Sequence, residues 1–408
     1  MVPKDWEYST LESLCEPSAP ITYGVLKPGD YFADGIPLLQ IKDLLSDLSE
    51  PQYLHHISPE LDEQYRRSRI KTNDILISLV GTVGRIGIVP KQLNNANIHR
   101  NLGRIRTKSF EFLVHYLHSD IAKNRFGISS SGSSQSALNL TVLRSLKVPV
   151  PPFPEQQKIA NILSTWDKAI STTERLIDNS TQQKKALMQQ LLTGKKRLLD
   201  DEGKRFEGEF NQHRLSELVN IDKKSLGKNT PENYEFEYIS LSDVSTGTIS
   251  KSLERHVFSS APSRARRIVK ENDLLLATVR PNLKGFAKAR KEHDGFVAST
   301  GFAVLSAKKD VSSDYVYHYL FSHHLTGQIN ALVVGSNYPA INSSDVGSLK
   351  ILCPPFEEQQ KIATVLTNAD KEIELLEQQL ADLQQEKKAL MQVLLTGKKR
   401  VVVDGDKI

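Results

Sequence analysis

The sequence has few cysteines, no long apolar run and no large excess of one charge. Two cysteines, Cys15 and Cys353, among 408 residues cannot form a disulfide framework, and they favour a cytoplasmic location. No apolar run approaches the roughly 18 residues that a membrane helix needs, and residues 1–6 do not resemble a signal peptide. The net charge of +5 permits a polyanionic partner without requiring one. The length is ample for two globular cores.

Motifs of common enzyme sites are also missing. No stretch matches a phosphate-binding loop, and the glycines of 81–87 are spaced differently from a dinucleotide-binding fingerprint, so we interpret them as a turn between strands. Cysteine and histidine spacing typical of a metal site is absent, and the pairs His55-His56 and His323-His324 are interpreted as surface histidines. We therefore expect this chain to bind no metal and no cofactor.

The sequence is organised around a stretch that occurs twice. Residues 153–197 return as residues 356–400, each residue 203 positions after its counterpart, and 26 of the 45 aligned positions are identical. Each copy has at least one carboxylate in its first turn and ends in Leu-Leu-Thr-Gly-Lys-Lys-Arg, in which glycine suits a left-handed helix cap. Since a long repeat at constant spacing dictates the architecture, the pattern predicts two long helices.

Apolar residues recur in both copies at the a and d positions of a heptad. Because neither helix has another match, we predict that the two long helices pack together. Lys184 and Lys387 fall at a positions, where a polar residue can set the register at some cost in stability. The residues assigned to the pairing are Leu163, Ile170, Ile177, Leu187, Leu191, Leu366, Ile373, Leu376, Leu380, Leu383, Leu390 and Leu394.

The segments before the two helices form similar globular blocks. In the first, short apolar runs at 36–41, 74–80 and 85–89 are typical of strands, a helix is predicted over 111–124, and 127–136 is a polar loop. The second block repeats the framework more loosely. The predicted segments are a first domain at 1–152, a central helix at 153–198, a second domain at 199–355, a distal helix at 356–400 and a tail at 401–408.

Cationic and amide side chains cluster near the predicted strands of both blocks. Arg and Lys neutralise phosphates, and Arg, Asn and Gln form paired hydrogen bonds with guanine or adenine edges. Each cluster alone also fits a solvated surface, but its recurrence in both blocks favours nucleic-acid contact. The candidates are Arg66, Arg67, Arg69, Lys71, Arg85, Ser134 and Gln135 in the first block, and Arg264, Arg266, Arg267, Arg280, Asn282, Lys284, Ser336, Asn337 and Tyr338 in the second.

Two Pro-Pro-Phe segments raise the alternative of a self-sufficient methyltransferase. An adenine-specific amino-methyltransferase would carry Asn or Asp before Pro-Pro-Phe to accept a hydrogen bond from the amine of a flipped base. Val150 and Cys353 stand there instead, and neither accepts such a bond strongly. We interpret these prolines as ending a strand and starting a helix, and we expect no catalysis by this chain.

The whole chain resembles the specificity subunit of type I restriction-modification systems. The resemblance rests on the domain-helix-domain-helix plan, on Pro-Pro-x-x-Glu-Gln-Gln-Lys-Ile-Ala at 151–160 and 354–363, on both Lys-Lys-Arg endings and on Lys204-Arg205-Phe206. It implies an α+β fold in which two mixed α/β target recognition domains are separated by two long antiparallel coiled-coil helices with pseudo-twofold symmetry. It gives no base-contacting residue, since these domains diverge with the sequence that they read.

The resemblance also implies partners. Each domain would read one half of a bipartite, asymmetric site in double-stranded DNA, and the helices would set the unread gap and dock modification subunits. Those subunits would carry adenine N6 methyltransferase activity with S-adenosylmethionine, and restriction subunits would use ATP and Mg for translocation and cleavage. The pseudo-twofold symmetry predicts two modification subunits per chain. The remaining alternative is a non-DNA scaffold that joins two interaction domains through a coiled coil.

Overall fold

The computed structural model describes residues 3–45, 48, 53–126, 137–333 and 339–403. It divides into two compact units. The first consists of Met1–Glu174 with Gln378–Ile408, and the second is Arg175–Glu377. The boundaries of both units therefore fall inside the two repeated helices, whereas the predicted segments treat each helix as separate. The predicted loop at 127–136 lies outside the described residues.

The first unit contains three small sheets, with strand orders β2-β8-β5-β6, β4-β3-β7 and β1-β9. Only β3 and β7 run parallel among the described strand pairs of this unit, with Leu38 opposite Asn97. Its strands are β1 (Glu7–Thr10), β2 (Thr22–Tyr23), β3 (Ile36–Leu39), β4 (His55–Ile57), β5 (Ile75–Ser78), β6 (Ile86–Ile88), β7 (Asn97–Ile98), β8 (Leu102–Ile105) and β9 (Lys147–Val150). Its helices are α1 (Pro59–Gln64), α2 (Phe110–His118), α3 (Asp120–Arg125), α4 (Leu140–Ser145) and the first part of α5 (Phe153–Leu191).

The second unit repeats this plan, with sheets ordered β11-β20-β17-β18, β15-β12-β19-β16, β13-β14 and β10-β21. The parallel pair recurs as β12 and β19, with Tyr238 opposite Val297. Its strands are β10 (Asn211–Arg214), β11 (Val219–Ile221), β12 (Glu235–Ile239), β13 (Val244–Ser245), β14 (Thr248–Ile249), β15 (Glu254–Val257), β16 (Ala265–Ile268), β17 (Leu274–Ala277), β18 (Phe286–Lys288), β19 (Val297–Ser299), β20 (Phe302–Ala307) and β21 (Lys350–Cys353). Its helices are α6 (Leu215–Leu218), α7 (Ser313–Leu320), α8 (His323–Leu332), α9 (Ser343–Ser348) and the first part of α10 (Phe356–Leu394).

Short 3-10 helices connect these elements. They span Glu12–Leu14, Ile41–Leu45, Arg66–Ser68 and Lys91–Leu93 in the first unit, and Leu241–Asp243, Phe258–Ser260, Pro281–Leu283 and Lys291–His293 in the second. The three predicted strands of the first block are confirmed as β3, β5 and β6. The second block thus shares the fold of the first, which explains why the framework positions of their sequences match while the loops differ.

The predicted helix over 111–124 is wrong in one respect, because it is two helices. Ser119 has an extended backbone (ψ 151°), and its Oγ accepts a hydrogen bond from the Ala122 amide at 3.3 Å. Serine is a favoured N-cap residue, so α2 ends and α3 begins at this position. Ser322 caps α8 in the same way, with its Oγ 3.2 Å from the Leu325 amide.

Each unit has a core that includes both long helices. In the first unit Leu163 of α5 and Leu394 of α10 join a buried cluster with Trp6, Ile75 and Tyr116. In the second unit Leu191 of α5 and Leu366 of α10 are buried in the corresponding cluster. Truncating one of these leucines to Ala is expected to cost about 2–5 kcal/mol. The helix ends are therefore part of the globular cores.

The two helices have the predicted glycine caps. Gly194 and Gly397 both have φ of +70°, a left-handed conformation that glycine adopts without a side-chain penalty. A Cβ at Gly194 would also lie 2.8 Å from Phe210 Cδ2. Position 194 therefore requires glycine, because its backbone is left-handed and the Phe210 ring leaves no room for a Cβ.

Candidate nucleic-acid interface

The helices run antiparallel within each unit, as matched polar contacts show. In the first unit the Lys387 ammonium of α10 contacts the Asp167 carboxylate of α5, and in the second unit Lys184 of α5 contacts Asp370 of α10. The predicted a-position lysines thus have partners on the opposite helix. Because each lysine has one carboxylate at a matching position, these contacts favour a single register.

A buried histidine extends each contact to the globular part of the same unit. His115 of α2 lies with Nε2 3.1 Å from Ser164 Oγ and Nδ1 3.6 Å from Asp167 Oδ2. His318 of α7 repeats the arrangement, with Nε2 2.9 Å from Thr367 Oγ1 and Nδ1 3.7 Å from Asp370 Oδ2. Sequence reasoning missed these histidines, although their separation of 203 positions marks them as part of the repeat.

Burial keeps both histidines neutral at ordinary pH. Loss of hydration is the largest influence on the pKa of His115 and outweighs the attraction of Asp167, so the pKa falls from 6.5 to about 4. The pKa of His318 falls to about 4 for the same reason. Each neutral imidazole lies 3.1 Å or less from a hydroxyl group of a long helix. These contacts fix the orientation of α2 against α5 in the first unit and of α7 against α10 in the second.

A second duplicated contact lies at the ends of the helices. Glu155, 2% exposed, accepts hydrogen bonds from Arg400 Nε at 2.7 Å, Arg400 Nη2 at 2.8 Å and Trp6 Nε1 at 3.0 Å. Glu358, fully buried, accepts from Arg197 Nη2 at 2.6 Å and Arg197 Nε at 2.9 Å. Each arginine follows the C-terminal end of one helix and binds the N-terminal turn of the other.

The residues assigned to helix pairing are all buried or half-buried. By contrast, Leu375 of α10 is 70% exposed and does not belong to the predicted seam. Three of the predicted residues, Leu163, Leu390 and Leu394, pack in or against the first core, and Leu187, Leu191 and Leu366 pack in or against the second. The direct pairing of the others stays a prediction.

The cationic cluster of the first unit is divided between internal ion pairs and exposed side chains. Arg69 Nη2 lies 2.6 Å from buried Asp62 and 2.7 Å from Glu63, and these bonds raise the pKa of Arg69. Arg66 lies 3.3 Å from Glu63. Arg67 and the Lys71 side chain are exposed, so these two are the better candidates for contact with a polyanion.

The cluster of the second unit is divided in the same way. Arg267 Nη2 lies 3.0 Å from Asp222, and Arg266 lies over the Phe258 ring at 5.1 Å while donating to the Ala265 carbonyl. Arg264 is exposed. The structure therefore assigns internal roles to Arg266 and Arg267 and leaves Arg264 at the surface.

The remaining candidates lie in loops. Arg85 is half-buried beside β6, and Arg280, Asn282 and Lys284 lie in the β17–β18 loop. Arg280 (φ 49°) and Lys284 (φ 52°) have left-handed backbones, which cost a residue with a Cβ about 1 kcal/mol or more. The candidates Ser134, Gln135, Ser336, Asn337 and Tyr338 lie outside the described residues.

The Pro-Pro-Phe segments act as helix starts. The Gln156 side chain donates to the Pro151 carbonyl at 2.8 Å, and Gln359 donates to Pro354 at 2.9 Å. Cys353 is buried, and burial raises the pKa of its thiol to about 11. Neither segment places a strong hydrogen-bond acceptor where the methyltransferase alternative needs one.

Among the residues that the structure describes, no group of three or more His, Cys, Asp or Glu side chains is arranged to hold a metal ion. Within the same ranges, no helix combines the length and apolar character needed to cross a membrane.

Comparison with known proteins finds the same duplication. The family model described as the type I restriction modification DNA specificity domain matches residues 3–179 and 207–385. The chain is 32% identical to the EcoBI specificity subunit of Escherichia coli over 47% of this chain and 41% of that protein. It is 27% identical to the putative MjaX specificity subunit of Methanocaldococcus jannaschii over 98% of this chain and 95% of that protein.

Solved structures share the fold. The type I system S subunit from M. genitalium has a TM-score of 0.56 at 15% identity, covering 97% of this chain and 99% of that one. A chain from a study of type I system assembly and conformational transition has a TM-score of 0.58 at 19% identity, covering 98% of this chain and all of that one. With both halves of the sequence matched by one family model, this chain belongs to the type I restriction-modification DNA specificity family.

Proposed function

We propose that this chain recognises DNA for a type I restriction-modification complex, with each globular half reading one part of a bipartite, asymmetric site. The observation that carries the proposal is one fold used twice with different loop chemistry. Equivalent sheets present Gly81 and Gly84 in one loop and Arg280 and Lys284 in the other. Since base readout depends on the side chains that the loops present, unlike loops on like frameworks suit two different half-sites.

We propose further that the chain docks two modification subunits and, through the complex, restriction subunits. Support comes from the repetition of helix-end contacts in both units, which gives two equivalent surfaces on one chain. Methyl transfer to adenine N6, with S-adenosylmethionine, and the use of ATP and Mg would belong to those partners. Native mass spectrometry with excess modification subunit should show two copies per chain, and saturation at one copy would contradict this stoichiometry.

The helices are proposed to set the unread gap. A heptad inserted after Glu174 and another after Glu377 would leave Lys184–Asp370 and Lys387–Asp167 within their own units. Seven residues add roughly 10 Å of helix, which corresponds to about three base pairs. Methylome sequencing of cells expressing the variant with its modification partner should show a longer gap between unchanged half-sites. Altered half-sites would contradict the spacer role.

Phosphate contact is tested with variants of cationic residues that are exposed in the structure. Replacing exposed Arg67 and Lys71 with Ala should weaken DNA binding and lower the salt dependence of the binding constant by about one to two counterions. Gln in place of Glu63, which pairs with Arg66 and Arg69, provides a control that should not weaken binding. Unchanged affinity and salt dependence in the alanine variant would favour the non-DNA scaffold.

A further inference from the structure

Each unit has a cleft between a long helix and the junction of two shorter helices. In the second unit the cleft lies between α5 and the α7–α8 junction and has a volume of about 350 Å³. In the first unit the cleft lies between α10 and the α2–α3 junction and has a volume of about 540 Å³. Each cleft is formed within one unit, so the duplication of the fold produces two related surfaces.

The wall that the long helix contributes is the same in both clefts. Six residues of the second cleft have an identical counterpart 203 positions away in the first cleft. They are Lys184, Lys185, Met188, Gln189, Thr193 and, from the helix junction, Ser322. The loops proposed to read DNA differ between the units, whereas this surface is repeated unchanged. Such a surface suits a partner that is bound twice, which is the role proposed for the modification subunit.

The two clefts differ in charge at the helix junction. In the first cleft Asp120 Oδ2 lies 3.1 Å from Lys388 Nζ. Lys185 is the repeat counterpart of Lys388, and His323 is the counterpart of Asp120. No carboxylate is among the described residues that line the second cleft. The first unit therefore supplies a carboxylate to this lysine from its own chain, and no described residue of the second cleft does so.

The second cleft combines positive charge with apolar surface. Lys184 already has a carboxylate partner on α10, so the cations that face a partner are exposed Lys185 and half-buried Lys284. Half-buried Met188 and Phe321 line the same cleft. Methionine and aromatic side chains are enriched in protein interfaces. Apolar surface beside an ammonium group thus favours an acidic protein side chain with its methylene groups over a phosphate, which has no apolar part.

We propose that the cleft of the second unit receives an acidic side chain of a modification subunit, whose carboxylate binds Lys185 as Asp120 binds Lys388 in the first unit. The first cleft binds the same side chain more weakly, because the partner must displace Asp120 and meets its negative charge. The two modification subunits are therefore bound with unequal affinity, the tighter one at the second unit. This inference rests on the proposed docking of two modification subunits and adds where each docks and why the two sites differ.

The test exchanges the two residues that differ between the clefts. His323→Asp places the acid of the first cleft in the second, Asp120→His makes the reverse change, and both positions are exposed. Stepwise dissociation constants are measured by native mass spectrometry of the full chain titrated with modification subunit in the absence of DNA. The unmodified chain should show two constants that differ by about fivefold beyond the statistical difference between equal sites. His323→Asp should weaken the tighter step about tenfold or more, and Asp120→His should strengthen the weaker step.

Charge reversal of the lysine tests the contact itself. Lys185→Glu should weaken the tighter step about tenfold or more and reduce its salt dependence. Lys309→Glu, at an exposed position of the same unit outside the cleft, is the control and should change neither. The melting temperature of the free chain should be nearly the same in all variants, because the changed side chains are exposed.

Three results would overturn the inference. They are equal affinity at the two sites of the unmodified chain, unchanged affinity in both Lys185→Glu and His323→Asp, and a loss in Lys185→Glu that is confined to DNA binding. The last result would assign the cleft to a phosphate instead. If the unmodified chain binds no modification subunit at all, the proposed function fails, and the clefts are not the cause.

Discussion

The contact between Glu155 and Arg400 allows a quantitative prediction, because the chain contains its own control. Replacing Arg400 with Met leaves a carboxylate that is 2% exposed with the Trp6 indole as its remaining described donor. Removing one partner of a buried ion pair costs about 3–5 kcal/mol. Since the Arg400 side chain is 42% exposed, water can reach the vacated place, and we expect the lower value of about 2–3 kcal/mol.

The equivalent change in the second unit should cost more. The Arg197 side chain is 18% exposed, Glu358 is fully buried, and the place of the Trp6 indole is taken by Phe210, whose ring has no hydrogen-bond donor. Arg197→Met is therefore expected to cost about 3–5 kcal/mol. The measurement is the free energy of unfolding of the purified chain by urea, analysed as two transitions if the units unfold separately.

One further variant identifies the cause. Glu155→Gln combined with Arg400→Met should recover part of the lost stability, because the buried charge is gone and the amide can still accept from Trp6. A loss of stability in Arg400→Met equal to or greater than that in Arg197→Met would refute the reasoning, and so would no recovery in the double variant.

Two other predictions concern pH and the helix cap. In the folded protein the pKa values of His115 and His318 are about 4, below the ordinary value of 6.5, so the unfolded chain binds more protons between these limits. Stability should therefore fall as the pH drops through this window. Replacing both histidines with Asn should flatten the stability profile there, and a profile as steep as before would contradict the role assigned to them. Gly194→Ala should lower the free energy of unfolding by about 1–2 kcal/mol because of its positive φ and the nearby Phe210 ring, whereas Gly227→Ala, at a site with no atom within 4 Å of the added carbon, should cost less than about 1 kcal/mol.

The long helices were predictable because their evidence is local and repeated. Heptad spacing, a glycine cap and a constant separation of 203 positions are properties of the chain, and they predict α5 and α10 closely. The break at Ser119 was missed because apolar periodicity continues through it. Ser119 ends one helix and caps the next although the apolar periodicity continues. Serine as a helix cap can be recognised from sequence.

The candidate interface was less predictable, because composition does not show which charges are already paired. Arg69 and Arg67 are alike in sequence, but Arg69 binds buried Asp62 while Arg67 faces solvent. Likewise, Arg280 and Lys284 were selected for their side chains, whereas their distinguishing feature is a left-handed backbone. Both properties depend on contacts between residues far apart in the chain.

The sequence by itself determined the duplicated plan, the two helices and the family, because periodicity and internal repetition are written along the chain. Only the tertiary structure decided that each helix is shared between two cores, that Lys387 meets Asp167 and Lys184 meets Asp370, and which cations remain at the surface. The physical reason is that ion pairing, burial and loop conformation depend on distances through space. Those distances are set when the helices and sheets pack. Residues of the same type can then lie in different surroundings.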